Sequence, residues 1–199
     1  MKKKLLFVLA VGTTVLFSSC GKVPQVEIDC ANAAIEVAKS VGANVYVAED
    51  FAALQDSMRS VNENVEVQNA KFFKNFDHVK AQLVVLNAMV VEVKDNAEAR
   101  KEEVKLEIDS LQAEVDSIVM QNKELTTQAP KGKEGVAALE AIKGDISLIE
   151  ASLIDVAGLV SQDQLIVALD KVKAAKEKAL EINTELNEVI AKYAKNKRK

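Results

Sequence analysis

The chain has 199 residues, with 26 basic and 30 acidic side chains, no tryptophan and two prolines. An acidic balance of this kind lacks the basic stripe that nucleic-acid binding needs to release counterions. The single histidine, two cysteines and abundance of Ala, Val, Leu, Glu and Lys exclude a histidine-carboxylate di-metal bundle and a disulfide scaffold, and point to long helices.

Residues 1–20 differ in kind from the rest. Lys2, Lys3 and Lys4 form a positive start, Leu5 to Phe17 form an apolar run, and Ser18-Ser19-Cys20 ends it with two small residues before a cysteine. This order reads as an export signal, too short for a spanning helix. The alternatives are an ordinary signal with a coincidental cysteine, or a buried apolar helix. Removing Lys2, Lys3 and Lys4 with the signal leaves 23 basic residues against 30 acidic ones, or −7. Residues 20–25 form a tether that spans at most ~20 Å.

The periodicity predicts five helices. The first runs from Val26 to Val41, with Val26, Cys30, Ala33, Val37 and Val41 as its apolar stripe and Gly42 as its stop. Cys30, among alanines, is expected to be a buried thiol; an intermolecular disulfide is the alternative. Residues 43–47 read as a connector. Glu49 and Asp50 then open a second helix with the stripe Phe51, Leu54, Met58, Val61 and Val65, which a turn near Asn69 to Lys74 ends.

From Asn75 to Gln128 there is neither glycine nor proline. Phe76, Val79, Leu83, Leu86, Val90, Val93 and Ala97 form one seam and Val104, Ile108, Leu111, Val115 and Ile118 another, with a one-residue slip between them. Lys94 to Glu103 lacks any large apolar side chain, so this third helix is either continuous and ~80 Å long or broken near Asn96; continuity is preferred. After a loop at 129–135, the fourth helix carries an unbroken heptad seam, Leu139, Ile142, Ile146, Ile149, Leu153, Val156 and Val160. A turn at 158–163 leads to a fifth, from Gln164 to Tyr193, with Leu165, Leu169, Val172, Ala175, Ala179, Ile182, Leu186, Val189 and Tyr193 on one side. Short connections imply antiparallel neighbours. The expected fold is all-α: an elongated antiparallel helical bundle of about five helices, two three-helix bundles sharing a long central helix. The units are 26–97 and 98–199.

No nucleophile–base pair or ligand cluster appears, and no cofactor or metal is implied. His78 beside Asp77 reads as a boundary histidine, and Gly132-Lys133 lacks the earlier glycine of a phosphate loop. Leu83 to Val91 is apolar nearly all round. It is either buried beneath the first two helices and the overhanging end of the last, or it meets a partner.

The Ser-Ser-Cys end of the apolar run resembles the lipobox of bacterial lipoproteins, departing from it at Phe17. This implies lipid attachment at Cys20, and Gly21 in place of an aspartate is the pattern associated with outer-membrane delivery. Residues 26–93, through Ala31, Ala34 and Ala38, then Gly42-Ala43 and Tyr46-Val47-Ala48-Glu49, resemble an alanine-rich helical domain of envelope lipoproteins of unknown function, with Ala48 in place of its proline. The Arg198-Lys199 end is similar to that of the murein lipoprotein family, whose terminal lysine is joined to peptidoglycan; that makes Lys199 a candidate attachment point, with a solvated helix end as the alternative.

The chain is therefore expected to be a non-enzymatic outer-membrane lipoprotein, anchored by lipid on the periplasmic face or the cell surface. It would act as a helical spacer or docking module towards an envelope protein or peptidoglycan. The alternative is a binding lipoprotein that presents the apolar region at Leu83 to Val91 to a protein or hydrophobic ligand.

Overall fold

The computed structural model describes residues 21–130 and 133–197. The expected export signal, Cys20, Gly132, Arg198 and Lys199 lie outside the described residues. Those described form no strand and six helices: α1 (Gln25–Ser40), α2 (Ala43–Tyr46), α3 (Ala48–Asn69), α4 (Asp77–Gln128), α5 (Lys133–Ser161) and α6 (Leu165–Lys197). The helix beyond the expected five is α2, a single turn within the connector. Gly42 ends α1 at φ 91, and its carbonyl then accepts from the N–H groups of Val45 at 2.8 Å and Tyr46 at 2.9 Å. A left-handed residue followed at once by a new turn is what glycine's missing Cβ permits.

The buried face of α1 is Ile28, Ala31, Ile35 and Ala38, which corrects the expected stripe. Val26 is 72 % exposed and Val37 52 %, and Cys30 is a free, exposed thiol. Both stripes follow three-and-four spacing, on opposite faces of the helix. The face that carries Ile28 and Ile35 is the one that α3 and α4 cover. Its two alanines let α1 lie close to α4.

The other seams hold. Phe51, Leu54, Met58 and Val61 bury one face of α3. In α4 both expected seams are buried apart from the half-buried Leu111, and α5 buries Leu139, Ile142, Ile146, Ile149, Leu153 and Val156. The helix α4 is one unbroken element of 52 residues, about 78 Å long. Two cores sit along it with no buried residue in common: one runs from Ile28 to Ala97, the other from Val104 to Leu186. On either side of the waist the seam residues keep the same four-and-three spacing, Leu86, Val90 and Val93 before it and Val104, Ile108 and Leu111 after it. The two triplets lie 18 residues apart, which at 100° per residue is five whole turns, so the packing face keeps its direction along α4.

The first bundle is α1, α2, α3 and the first half of α4; the second is the remainder of α4 with α5 and α6. Ser57 meets Met89 and Asn64 meets Gln82, so α3 runs antiparallel to α4. Lys173 pairs with Glu107 and Lys176 with Glu114, each at 2.8 Å, so α6 runs parallel to α4, with α5 returning between them. A buried polar contact fixes this parallel register. Asn122, fully buried, donates to the Ala179 carbonyl at 2.8 Å and accepts from Asn183 at 2.8 Å. A satisfied asparagine in an apolar seam penalises any sliding that would strand it.

Two expectations at the chain's ends are corrected. Val189 and Tyr193 are exposed and Ile190 takes the half-buried place beside the core, because α4 has ended and offers nothing to cover them. The free end of α6 accordingly points away from the first bundle and does not cover Leu83 to Val91.

Candidate functional site

Leu83, Leu86 and Val90 are buried, whereas Val84, Val85 and Val91 are 71 %, 61 % and 60 % exposed. The nearly all-apolar stretch therefore shows one face to the core and the other to solvent. Among the described residues only α1, α2 and α3 pack on this half of α4, and none of them covers its outer side.

Val85 also borders a cleft of about 330 Å³ between α3 and α4, floored by Val61, Leu86 and Met89 and walled by His78. That volume falls at the small end of ligand sites. Its polar atoms are mutually engaged. The Ser57 hydroxyl donates to the Met89 sulfur at 3.7 Å, Asn64 donates to Gln82 at 3.0 Å, and Gln82 reaches the Ser60 hydroxyl at 3.5 Å. The hydroxyls thus face a thioether and an amide, neither of which is a base that could activate them. What the cleft offers is apolar contact beside a short amide and hydroxyl rim. Among the described residues, no group of three or more His, Cys, Asp or Glu lies close enough to hold a metal ion.

A second cleft of about 330 Å³ lies where the two bundles meet, lined from one side by Val41, Gly42 and Tyr46 and from the other by Lys101, Asp163 and Leu165. Tyr46 stands out here. Its neighbour within the same turn, Ala43, is buried in the first core, yet the Tyr46 ring packs against the second. A Cβ on Gly42 would lie 2.8 Å from two carbons of that ring, so the glycine serves twice: it takes the left-handed turn and makes room for the ring. Lys101, on the waist of α4, forms an ion pair with Asp163 in the turn between α5 and α6. Burial raises the Tyr46 phenol above its usual range, and the Asp163 carboxylate adds to the effect.

Of the residues singled out in the sequence, His78 lines the α3–α4 cleft and Cys30 is on the open face of α1. Cys20 and Lys199 lie outside the described residues. The junction was missed, because Tyr46 read as part of a connector. The spacing of Gly42 and Tyr46, a glycine one turn before an aromatic, was the available signal. No helix among the described residues is long and apolar enough to cross a membrane. No family model, curated protein or solved structure matches the chain.

Proposed function

We propose that this chain is a lipid-anchored protein of the bacterial outer membrane whose helical body acts as a non-enzymatic spacer or docking module. The observation that carries this reading is the disposition of the ends of the body along α4. The turn that closes α1 meets the middle of α4 and α1 packs on its first half, so α1 starts in the end of the molecule where α4 begins. In contrast, α6 runs parallel to α4 and continues past its last turn. A tether entering α1 and a tail leaving α6 are thus separated by most of an α4 length, about 78 Å. The lysines at positions 2–4, the apolar run and Ser18-Ser19-Cys20 support the anchor, and the Lys199 end supports a wall contact.

Metabolic labelling with a fatty-acid analogue tests the anchor: the wild type should take up label and Cys20→Ala should not. Equal labelling of both would overturn the lipoprotein reading. Cell-wall sacculi boiled in detergent test the far end. Retention until muramidase treatment, lost when Lys199 is deleted and kept in Lys197→Ala, is the result expected of a wall-attached spacer. Sacculi that carry none of the protein would leave a docking module without wall attachment.

A second reading, a binding lipoprotein, is favoured by the open α3–α4 cleft and the exposed Val84, Val85 and Val91. A photo-crosslinking residue at Val85 should then capture a partner in intact cells that one at Thr184, on the exposed side of α6, does not.

A further inference from the structure

We infer that the waist of α4 is the bending point of the molecule, and that Tyr46, Lys101 and Asp163 form a latch that holds the two bundles in line. Among the described residues, no helix of the first bundle other than α4 packs its backbone against α5 or α6. Between Ala97 and Val104 the helix α4 buries no side chain. Its internal hydrogen bonds keep it helical there, and with neither glycine nor proline in the stretch a bend takes the form of gradual curvature and not of a kink. Apart from α4 itself, the bundles meet through the Tyr46 ring on the second core, and beside that ring the Lys101–Asp163 ion pair ties the waist of α4 to the turn between α5 and α6.

The backbone at Asp163 points the same way. The end of α5 is a Schellman turn, in which the Gln164 N–H donates to the Leu159 carbonyl and the Asp163 N–H to the Val160 carbonyl, each at 3.0 Å. Asp163 occupies its left-handed position at φ 61, the one non-glycine residue with positive φ among those described. Glycine fits that position without strain. An aspartate there gives up some backbone stability that a glycine would keep. Its carboxylate instead pairs with Lys101, whose side chain is 23 % exposed against 59 % for Asp163. The strained residue therefore serves the junction, and Gly42 on the opposite side of the same cleft serves it by admitting the Tyr46 ring. This inference stands on the body alone, whether or not the lipid anchor does.

The test is a distance distribution between two spin labels in the full chain carrying Cys20→Ala, one on Cys30 of α1 and one on Thr184→Cys of α6. The latched chain should give one narrow distribution. Asp163→Gly should broaden it towards shorter distances while leaving the melting of the second bundle unchanged or raised, since it relieves the turn. Lys101→Met, which keeps the helix and cannot disturb the turn, should broaden it too. If Asp163→Gly loses helical signal, Lys101→Met decides. A distribution that stays narrow in Lys101→Met would overturn the latch, as would one already broad in the unmodified junction.

Discussion

At the scale of single residues, Tyr46 offers a titration that reports on the junction. Burial is the larger cause of its raised pKa and the Asp163 charge the next, with Lys101 and Lys105 opposing them. The folded state therefore holds the phenolic proton more tightly than the unfolded chain. The stability linked to it is fully present below about pH 10, the unfolded value, and is lost as pH rises through the folded one. In Tyr193→Phe, which leaves Tyr46 as the only tyrosine, tyrosinate absorbance should appear later in the folded protein than in denaturant. Tyr46→Phe should flatten the alkaline decline of the denaturation midpoint. An unchanged decline would place the responsible group elsewhere. The sequence holds the Gly42–Tyr46 spacing but not its use. A ring one turn after a glycine can fold back or face solvent, and the choice depends on the second core, which lies far along the chain.

At the scale of elements, α5 carries a glycine its own packing does not need. A Cβ built on Gly144 meets nothing within 4 Å, and the residue sits in mid-helix. There, glycine costs about 0.5–1 kcal/mol relative to alanine. Gly144→Ala should raise stability by that amount, read as a higher denaturant midpoint at constant m-value; a lower midpoint would show that something does approach this face. The seam of α5 was legible from Leu139 to Val156, because it holds most of that helix's large apolar side chains; Val160 is half-buried, and Leu148 and Ile154 lie exposed outside the seam. That of α1 was not. Val26, Cys30, Ala33 and Val37 match helical spacing as well as Ile28, Ala31, Ile35 and Ala38 do. Periodicity alone does not rank two such stripes; which is buried depends on what covers it.

At the scale of the whole molecule, two cores that share no buried residue should fail separately. Ile146 is 2 % exposed. Ile146→Asp buries a carboxylate at a cost of several kcal/mol, against a typical domain stability of roughly 5–15 kcal/mol. Hydrogen exchange should then lose protection across α5, α6 and the second half of α4 and keep it near Leu54, Val79 and Leu86. Uniform loss would make the molecule one cooperative unit.

The all-helical class and the turns near Gly42, Asn69, Gln128 and Ser161 are legible in the chain itself, as is the preference for a continuous α4 over one broken near Asn96. Each of these follows from local chemistry: apolar side chains at three-and-four spacing, helix breakers between them, and none from Asp77 to Gln128. Only the tertiary structure decided which stripe of α1 is buried, where the end of α6 points, which face of Leu83 to Val91 stays open, and that Tyr46 and Asp163 meet at the waist. Those outcomes depend on what surface is available across the fold. A valine or a tyrosine is buried where another element happens to cover it, and the pattern of its own helix does not say whether one does.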